Sequence, residues 1–468
     1  MGRFSGVSII LGFTLTASAA QAQTDIDALR SSLTETLSLL SFGAISVGGQ
    51  AARMTQSGAD VHIQLPLNGF AAPAPASVVA VARPAANGAW DLTSVTVPPA
   101  GALGSSIDHV VSYTLGRQSM HGRLDPQRLS PSTFLAELGA IALHSASGGQ
   151  DTEQTIERMT LNAASTAASA GRLDLLAKDS ASNWHVVTRE SGGEAAESHV
   201  RHLDGQIALY GLDHQQAARL MAAANALMQT DRRPPASPVQ RHDMQEMLDA
   251  TAGLLSRFDA SQVLTGLKFD RGDRTAGTMD RLRLDAKGSA EDRLLNAGLD
   301  VAMDDLSLTS LSADTAALLP HHLTARTVVA GLPVAAVTAL LRAGLVPNPD
   351  TAALQTRAAG MLATPGAKAA IESFAFDAGP LHVQGSARFL SRPNGDLGTD
   401  IHISASGTDA LLSQAMGKPG LQGALPMVFL AKGMGRVQGN RIVWDISMGG
   451  GAMTINGVAF GQPAGHTR

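Results

Sequence analysis

The sequence predicts an α+β protein in which long antiparallel strands, running as a meander, curl around several amphipathic helices in two similar halves. Three observations carry this expectation. Short alternations of apolar and polar residues, separated by turn signals, fill most of the 468 residues. Apolar stripes at helical spacing interrupt them. One dense proline cluster, 231–238, lies near mid-chain, where neither a helix nor a central strand tolerates it.

The chain opens with Arg3, an apolar run over 4–15 and then Ala20-Gln21-Ala22. A basic start, an apolar core too short to span a bilayer and small residues before a cut are the features of a secretory signal peptide. Residues 1–22 are therefore read as a leader cleaved after Ala22, with the periplasm as destination. The organisation that follows is a helix plus an antiparallel β half over 23–230, the linker 231–238, and a C-terminal α+β half over 239–468.

Ile26, Leu29, Leu33, Leu37 and Leu40, with Thr24 as N-cap, predict a helix over 25–40. Strands are expected at 61–65, at 77–82 and 90–97 around Ala86-Asn87-Gly88, and at 110–115 and 119–124 as a hairpin about Gly116. Further strands follow at 133–145, 152–162, 171–178, 184–189, 198–203 and 206–210. Consecutive strands with short turns leave one face wet and one dry. Leu212, Leu220, Met221, Ala224, Leu227 and Met228 form the stripe of one helix; Met244, Met247, Leu248, Thr251, Leu254, Leu255 and Phe258 form another. The second half returns to strands at 262–270, 278–286, 298–308, 324–329, 370–376, 381–390, 397–406, 427–431, 441–446 and 452–455.

One design recurs: a strand, a glycine, then Asp, Thr or Pro at a helix start. It occurs at Gly211-Leu212-Asp213, Gly331-Leu332-Pro333 and Gly407-Thr408-Asp409. Glycine lets the backbone turn sharply off a sheet, Asp or Thr caps the helix, and Pro suits its first turn. The stripes that follow are Leu220 with Met221, Val337 with Leu340 and Leu341, and Leu411 with Leu412 and Met416. Any strand-to-helix connection can look like this; the sharper alternative is one unit used three times.

Composition excludes several function classes. Charged residues are 16% of the chain, against about 25% in an average globular protein. With 35 basic and 40 acidic residues and no polybasic run, the chain lacks the concentrated positive face that nucleic acid requires. Without cysteine there are no disulfides, no thiol chemistry and no lipid on an N-terminal cysteine. No stretch after the leader reaches the ~20 apolar residues of a membrane helix, so no retained transmembrane helix is expected.

Motifs of known chemistry are missing. Neither Gly-x-Ser-x-Gly nor His-Glu-x-x-His occurs, and Gly417-Lys418 is followed by Pro419, not by the Ser or Thr of a phosphate loop. His321-His322 and Asp304-Asp305 are adjacent pairs, and neighbours on a strand point to opposite faces, so neither is read as a metal or acid/base pair. Asp270, Asp273 and Asp280 flank Arg271 and Arg274, which suits a salt-bridged turn better than a calcium loop, and Arg271-Gly272-Asp273 reads as a solvated hairpin tip. No catalytic, metal or cofactor residue is assigned, and no cofactor is expected.

The segment Gly331-Leu332-Pro333, the run Gly385-Ser386-Ala387-Arg388-Phe389 leading to Asn394-Gly395-Asp396-Leu397-Gly398, and the closing Gly451-Ala452-Met453-Thr454-Ile455-Asn456-Gly457 carry a family resemblance. Together with the leader they resemble an uncharacterised alphaproteobacterial periplasmic family, domain-of-unknown-function family 2125, whose texture is similar to AsmA-like envelope proteins. The resemblance covers mainly 240–460. It implies topology and compartment, and through the AsmA-like proteins envelope homeostasis and lipid handling; the missing N-terminal anchor is a departure from many of them.

The expected function is therefore that of an exported, non-catalytic envelope protein holding an apolar ligand such as a lipid between sheet and helices. Leu220, Met221, Met228, Met244, Met247, Leu340 and Leu341 are the expected lining, because Met and Leu stripes make adaptable apolar walls. The alternative is a structural or interaction module with a packed core and another envelope protein as partner. A third reading is an unrecognised hydrolase, which requires Ser, His and Asp brought together by the fold.

Overall fold

The structure, a computed structural model, describes residues 53–460 apart from 67–76, 107–108, 125–131, 214–215, 221–222, 224–237, 312–315, 317–318, 346–349, 393–394, 418–424, 450–451 and the single positions 148, 170, 192, 218, 252, 273 and 310. The leader, the 25–40 helix, most of the linker and most of the first predicted helical stripe lie outside the described residues. The chain divides into two compact units, Met1–Phe258 and Asp259–Arg468. Both are mostly antiparallel strand, with short helices.

In the first unit the strands are β1 (Arg53–Ser57), β2 (Asp60–Pro66), β3 (Ser77–Pro84), β4 (Trp90–Thr96), β5 (Ala100–Ser106), β6 (His109–Leu124), β7 (Thr133–Ser147), β8 (Gln150–Ser169), β9 (Arg172–Glu190) and β10 (Ala196–Asp213). Each pairs antiparallel with its neighbour in sequence, except that β4 and β5 share β6 as partner. The core sits where β2, β3, β6 and β7 face inward: Ile63, Ala82, Leu124 and Phe134 are all at most 1% exposed. Helical residues near 216–223 and helix α1 (Pro238–Thr251) follow β10, and β11 (Arg257–Arg271) crosses the division.

Three predicted pairs of short strands are single long ones. Residues 110–115 and 119–124 belong to β6, 171–178 and 184–189 to β9, and 198–203 and 206–210 to β10. In β6 and β9 the break in alternation is a crease crossing five strands. Phe134, Ala136 and Leu138 are buried on β7, but the next buried residue is Ile141; on β8 the buried set passes from Ile156 to Met159 and Leu161, and on β10 from Val200 to Leu203. The register places Gly116, Ala140, Glu157, Asn183 and Arg201 side by side at that line. Ala140 (φ 50°) and Asn183 (φ 49°) take left-handed backbone there, so the inward set shifts by one residue while the ladder continues. The Asn183 amide donates to the Glu157 carboxylate across the crease.

The second unit holds β12 (Arg274–Glu291), β13 (Leu294–Asp304), β14 (Ser307–Leu308), β15 (His322–Pro333), β16 (Lys368–Ala378), β17 (Leu381–Ser391), β18 (Leu397–Ser406), β19 (Arg436–Gln438), β20 (Arg441–Gly449), β21 (Ala452–Ile455) and β22 (Val458–Phe460). The pairing runs β12–β13–β15–β16–β17–β18–β20–β21–β22, with β14 beside β12 and β19 beside β20. The expected strand over 298–308 breaks at Asp305 (φ 52°), after which β14 rejoins β12 in the same register.

Helices α2 (Val334–Gly344) and α3 (Thr351–Leu362) lie between β15 and β16, and α4 (Thr408–Met416) and α5 (Leu425–Met434) between β18 and β19. Asp350 caps α3 by accepting from the N–H groups of Ala352 and Ala353. Three expectations are corrected here. The run 427–431 is helical, because a short apolar run does not distinguish strand from helix and Pro426 suits a first helical turn. Leu212 is a buried strand residue of β10, and α1 stops at Thr251, leaving Leu254, Leu255 and Phe258 beyond it; Gly253 (φ 77°) turns the chain away.

The recurring glycine has one role at all three places. Gly211, Gly331 and Gly407 have φ of 60°, 64° and 78°, and each closes or follows a strand that leads into helix. At the first two the ladder bulges, so that Tyr210-Gly211 face Asp174 and Ala330-Gly331 face Asn296. The freed N–H of Gly211 donates to the Asp174 carboxylate at 2.8 Å, and that of Gly331 to the Asn296 side-chain oxygen at 3.0 Å.

Candidate functional site

Alternation along the strands of the second unit divides the sheet into two unlike faces. Val383 on β17, Ala405 on β18 and Ile442 on β20 are opposite one another and all buried. On this same face the Trp444 indole donates to the Ala431 carbonyl of α5 at 2.7 Å. On the other face Val443 and Ser404 are buried opposite each other, and beyond them polar residues make two rows. One row is Arg388, Asp400, Ser447 and Thr454; the other is Ser386, His402 and Asp445. Cross-strand neighbours in such rows lie about 5 Å apart at Cβ, close enough for each polar side chain to meet the next.

These rows floor an open trough of about 560 Å³. Lys368, Glu372, Ser386, Arg388, Asp400 and His402 are among its walls. A bulge in the β16–β17 ladder, between the Ile371–Ala387 and Phe374–Gly385 pairs, aims Glu372 into it.

Every carboxylate of the trough is held by a cation. Asp400 accepts from Arg392 at 2.5 Å and from the Ser447 hydroxyl at 2.7 Å. The Ser447 bond, with the Arg392 guanidinium, holds its carboxyl below the usual range. Glu372 pairs with Lys368 and, at 3.1 Å, with Arg326, which also meets Asp300 at 3.7 Å; the Lys368 bond likewise pulls its pKa down. Asp445 accepts from Nδ1 of His402 at 2.7 Å and is paired with Arg436. A carboxylate only accepts, so Nδ1 carries the proton and Nε2 has no hydrogen-bond partner among the described residues. Arg388 is exposed and makes no direct salt-bridge contact among the described residues; its charge adds to the field on Asp400, whose close contacts are Arg392 and Ser447.

None of the five described residues among the seven expected to line an apolar site is in these walls. Leu220, Met244 and Met247 are half-buried in the first unit; α1 there buries Gln240, Asp243 and Ala250 more deeply. Met221 and Met228 lie outside the described residues. In the second unit Leu340 is half-buried on α2, and Leu341 is 50% exposed. His321 and His322 face Asp305 and Asp304 separately, at 3.8 and 2.7 Å; only His322 and Asp304 are on strands, His321 and Asp305 lying just outside them. Among the described residues no group of three or more His, Asp or Glu is placed to hold a metal, and no helix is long and apolar enough to cross a membrane.

The trough residues were missed in the sequence although a signal existed. Lys368-x-Ala370-x-Glu372, Ser386-x-Arg388, Asp400-x-His402 and Asp445-x-Ser447 each alternate with apolar residues at period two. Their assembly into one surface depends on strand register, which one sequence does not reveal.

Comparison with protein-family models, with curated proteins and with solved structures finds no match to this chain.

Proposed function

We propose that the chain is an exported, non-catalytic binding protein of the bacterial envelope that holds a polar ligand on the open face of the second unit's sheet. One observation carries this reading: helix α5 packs on the apolar face, and the other face carries a trough of about 560 Å³, a volume typical of small-molecule sites. Neutralised carboxylates support binding over turnover, because Asp400 and Glu372, held ionised, are poor proton donors near neutrality. The leader at 1–22 supports export. The strand–glycine–helix unit, present in both halves, supports a design built by duplication.

The test is native mass spectrometry of protein released from the periplasm of the producing cell, beside Ser386→Trp, which fills the trough. A small-molecule adduct on the wild type alone supports the reading, as does a mature N-terminus at Gln23. An adduct on neither protein, or on both equally, overturns it.

A lipid ligand is a second reading, favoured by the exposed apolar residues on the helices: Leu341, Met416, Phe429 and Leu430 are 50–62% exposed. Uptake of a labelled lipid that survives Ser386→Trp supports this reading against the first. A third reading, hydrolysis, is favoured by the row Ser386–His402–Asp445, although no hydrogen bond joins Ser386 to His402. Labelling of Ser386 by a fluorophosphonate, abolished in His402→Ala, is the outcome that selects it.

A further inference from the structure

We propose that the ligand's anchoring group is a phosphodiester, taken by Arg388 at the trough's floor; this rests on the binding-protein reading above. The argument is one of charge and donor geometry. Counting Asp300, which Arg326 also meets, four carboxylates face four cations: Glu372 and Asp300 with Lys368 and Arg326, Asp400 with Arg392, and Asp445 with Arg436. Arg388 is the cation left over, and a single surplus charge suits a monoanion.

The neighbouring side chains decide between a carboxylate and a tetrahedral oxyanion. A carboxylate is satisfied by the guanidinium fork alone. Here further donors surround that fork from separate strands. Ser386 is two residues away on the same face of β17, and Lys368 is the diagonal neighbour through Ala370 on β16. The Ser386 hydroxyl has no hydrogen bond among the described residues. Donors on β16 and β17, set to different sides of the fork, match oxygens pointing in several directions, as on a phosphate. The remaining volume accommodates a headgroup of glycerol or sugar size.

The chemistry is shared by a lipid headgroup and by a soluble diester, and titration calorimetry on the full chain separates them. The probes are glycerophosphoglycerol, vesicles of phosphatidylcholine with or without phosphatidylglycerol, and glucuronate as the carboxylate. Binding of glycerophosphoglycerol that weakens at least about tenfold in Arg388→Gln and is partly restored in Arg388→Lys supports a soluble diester. Arg388-dependent binding of phosphatidylglycerol vesicles alone supports a membrane-presented headgroup. Glucuronate bound more tightly than either, or no dependence on Arg388 in any arm, overturns the proposal. Persistence of the native adduct in that second case leaves the binding-protein reading standing. Matching thermal melts of both variants establish that they are folded.

Discussion

The Asp174 carboxylate receives the backbone N–H of Gly211 at 2.8 Å, across a bulge that turns β10 off its sheet. Asn296 does the same for Gly331 in the second unit. Gly331 also has no room for a side chain: a Cβ there would meet the Gly366 carbonyl oxygen at 2.5 Å. Gly331→Ala is expected to cost at least about 1–2 kcal/mol from left-handed backbone alone, with the clash added. Chemical denaturation measures this, and an unchanged midpoint would falsify the assigned role.

Ala140 offers the opposite case. It is exposed, has φ of 50° and marks the crease. Ala140→Gly is expected to hold or raise stability, by up to about 1 kcal/mol, because glycine takes this backbone without strain. Ala136→Gly, four residues away at 1% exposure, is expected to lose about 1 kcal/mol or more. Paired melting curves decide; a larger loss in the first variant contradicts the crease.

Burial raises the Asp179 carboxyl, and the neighbouring Asp204 adds to the effect. A carboxyl with a folded pKa above its unfolded value binds its proton more readily in the native state, so it opposes folding once pH exceeds the unfolded pKa. Asp179→Asn is therefore expected to raise the melting temperature at neutral pH and to have less effect in acid. Equal shifts at both pH values count against this.

Tyr113 is 8% exposed, its hydroxyl donates to the Pro98 carbonyl at 3.2 Å, and burial pushes its pKa to about 12. The unfolded phenol ionises near 10, so stability falls as pH rises from about 10 toward that value. Ultraviolet titration is expected to show one tyrosine ionising late, and Tyr113→Phe to remove that step. A single transition near 10 for both tyrosines contradicts the burial.

Much of this fold was legible because alternation reports directly on which residues face inward. The strands near 77–82, 381–390 and 397–406 follow from it, as do the three glycine junctions. Legibility failed where the period itself changes. At Gly116 and between the two predicted runs of β9, a shift of one residue looks like a turn in a linear text, although each strand runs straight on, β6 through Gly116 and β9 through Asn183. The helix over 425–434 was misread for a related reason, since a continuous apolar run has no period to read. The trough was illegible in another sense. Ser386, His402 and Asp445 are separated by tens of residues, and only hydrogen-bonded register brings them abreast.

The crease also constrains how the first unit can assemble. Gly116, Ala140, Glu157, Asn183 and Arg201 must arrive at one line, so a slipped ribbon would expose oily side chains to water on one flank and bury charge on the other. A notch shared by five neighbours thus disfavours near-miss pairings that uniform strands of 15–20 residues would tolerate.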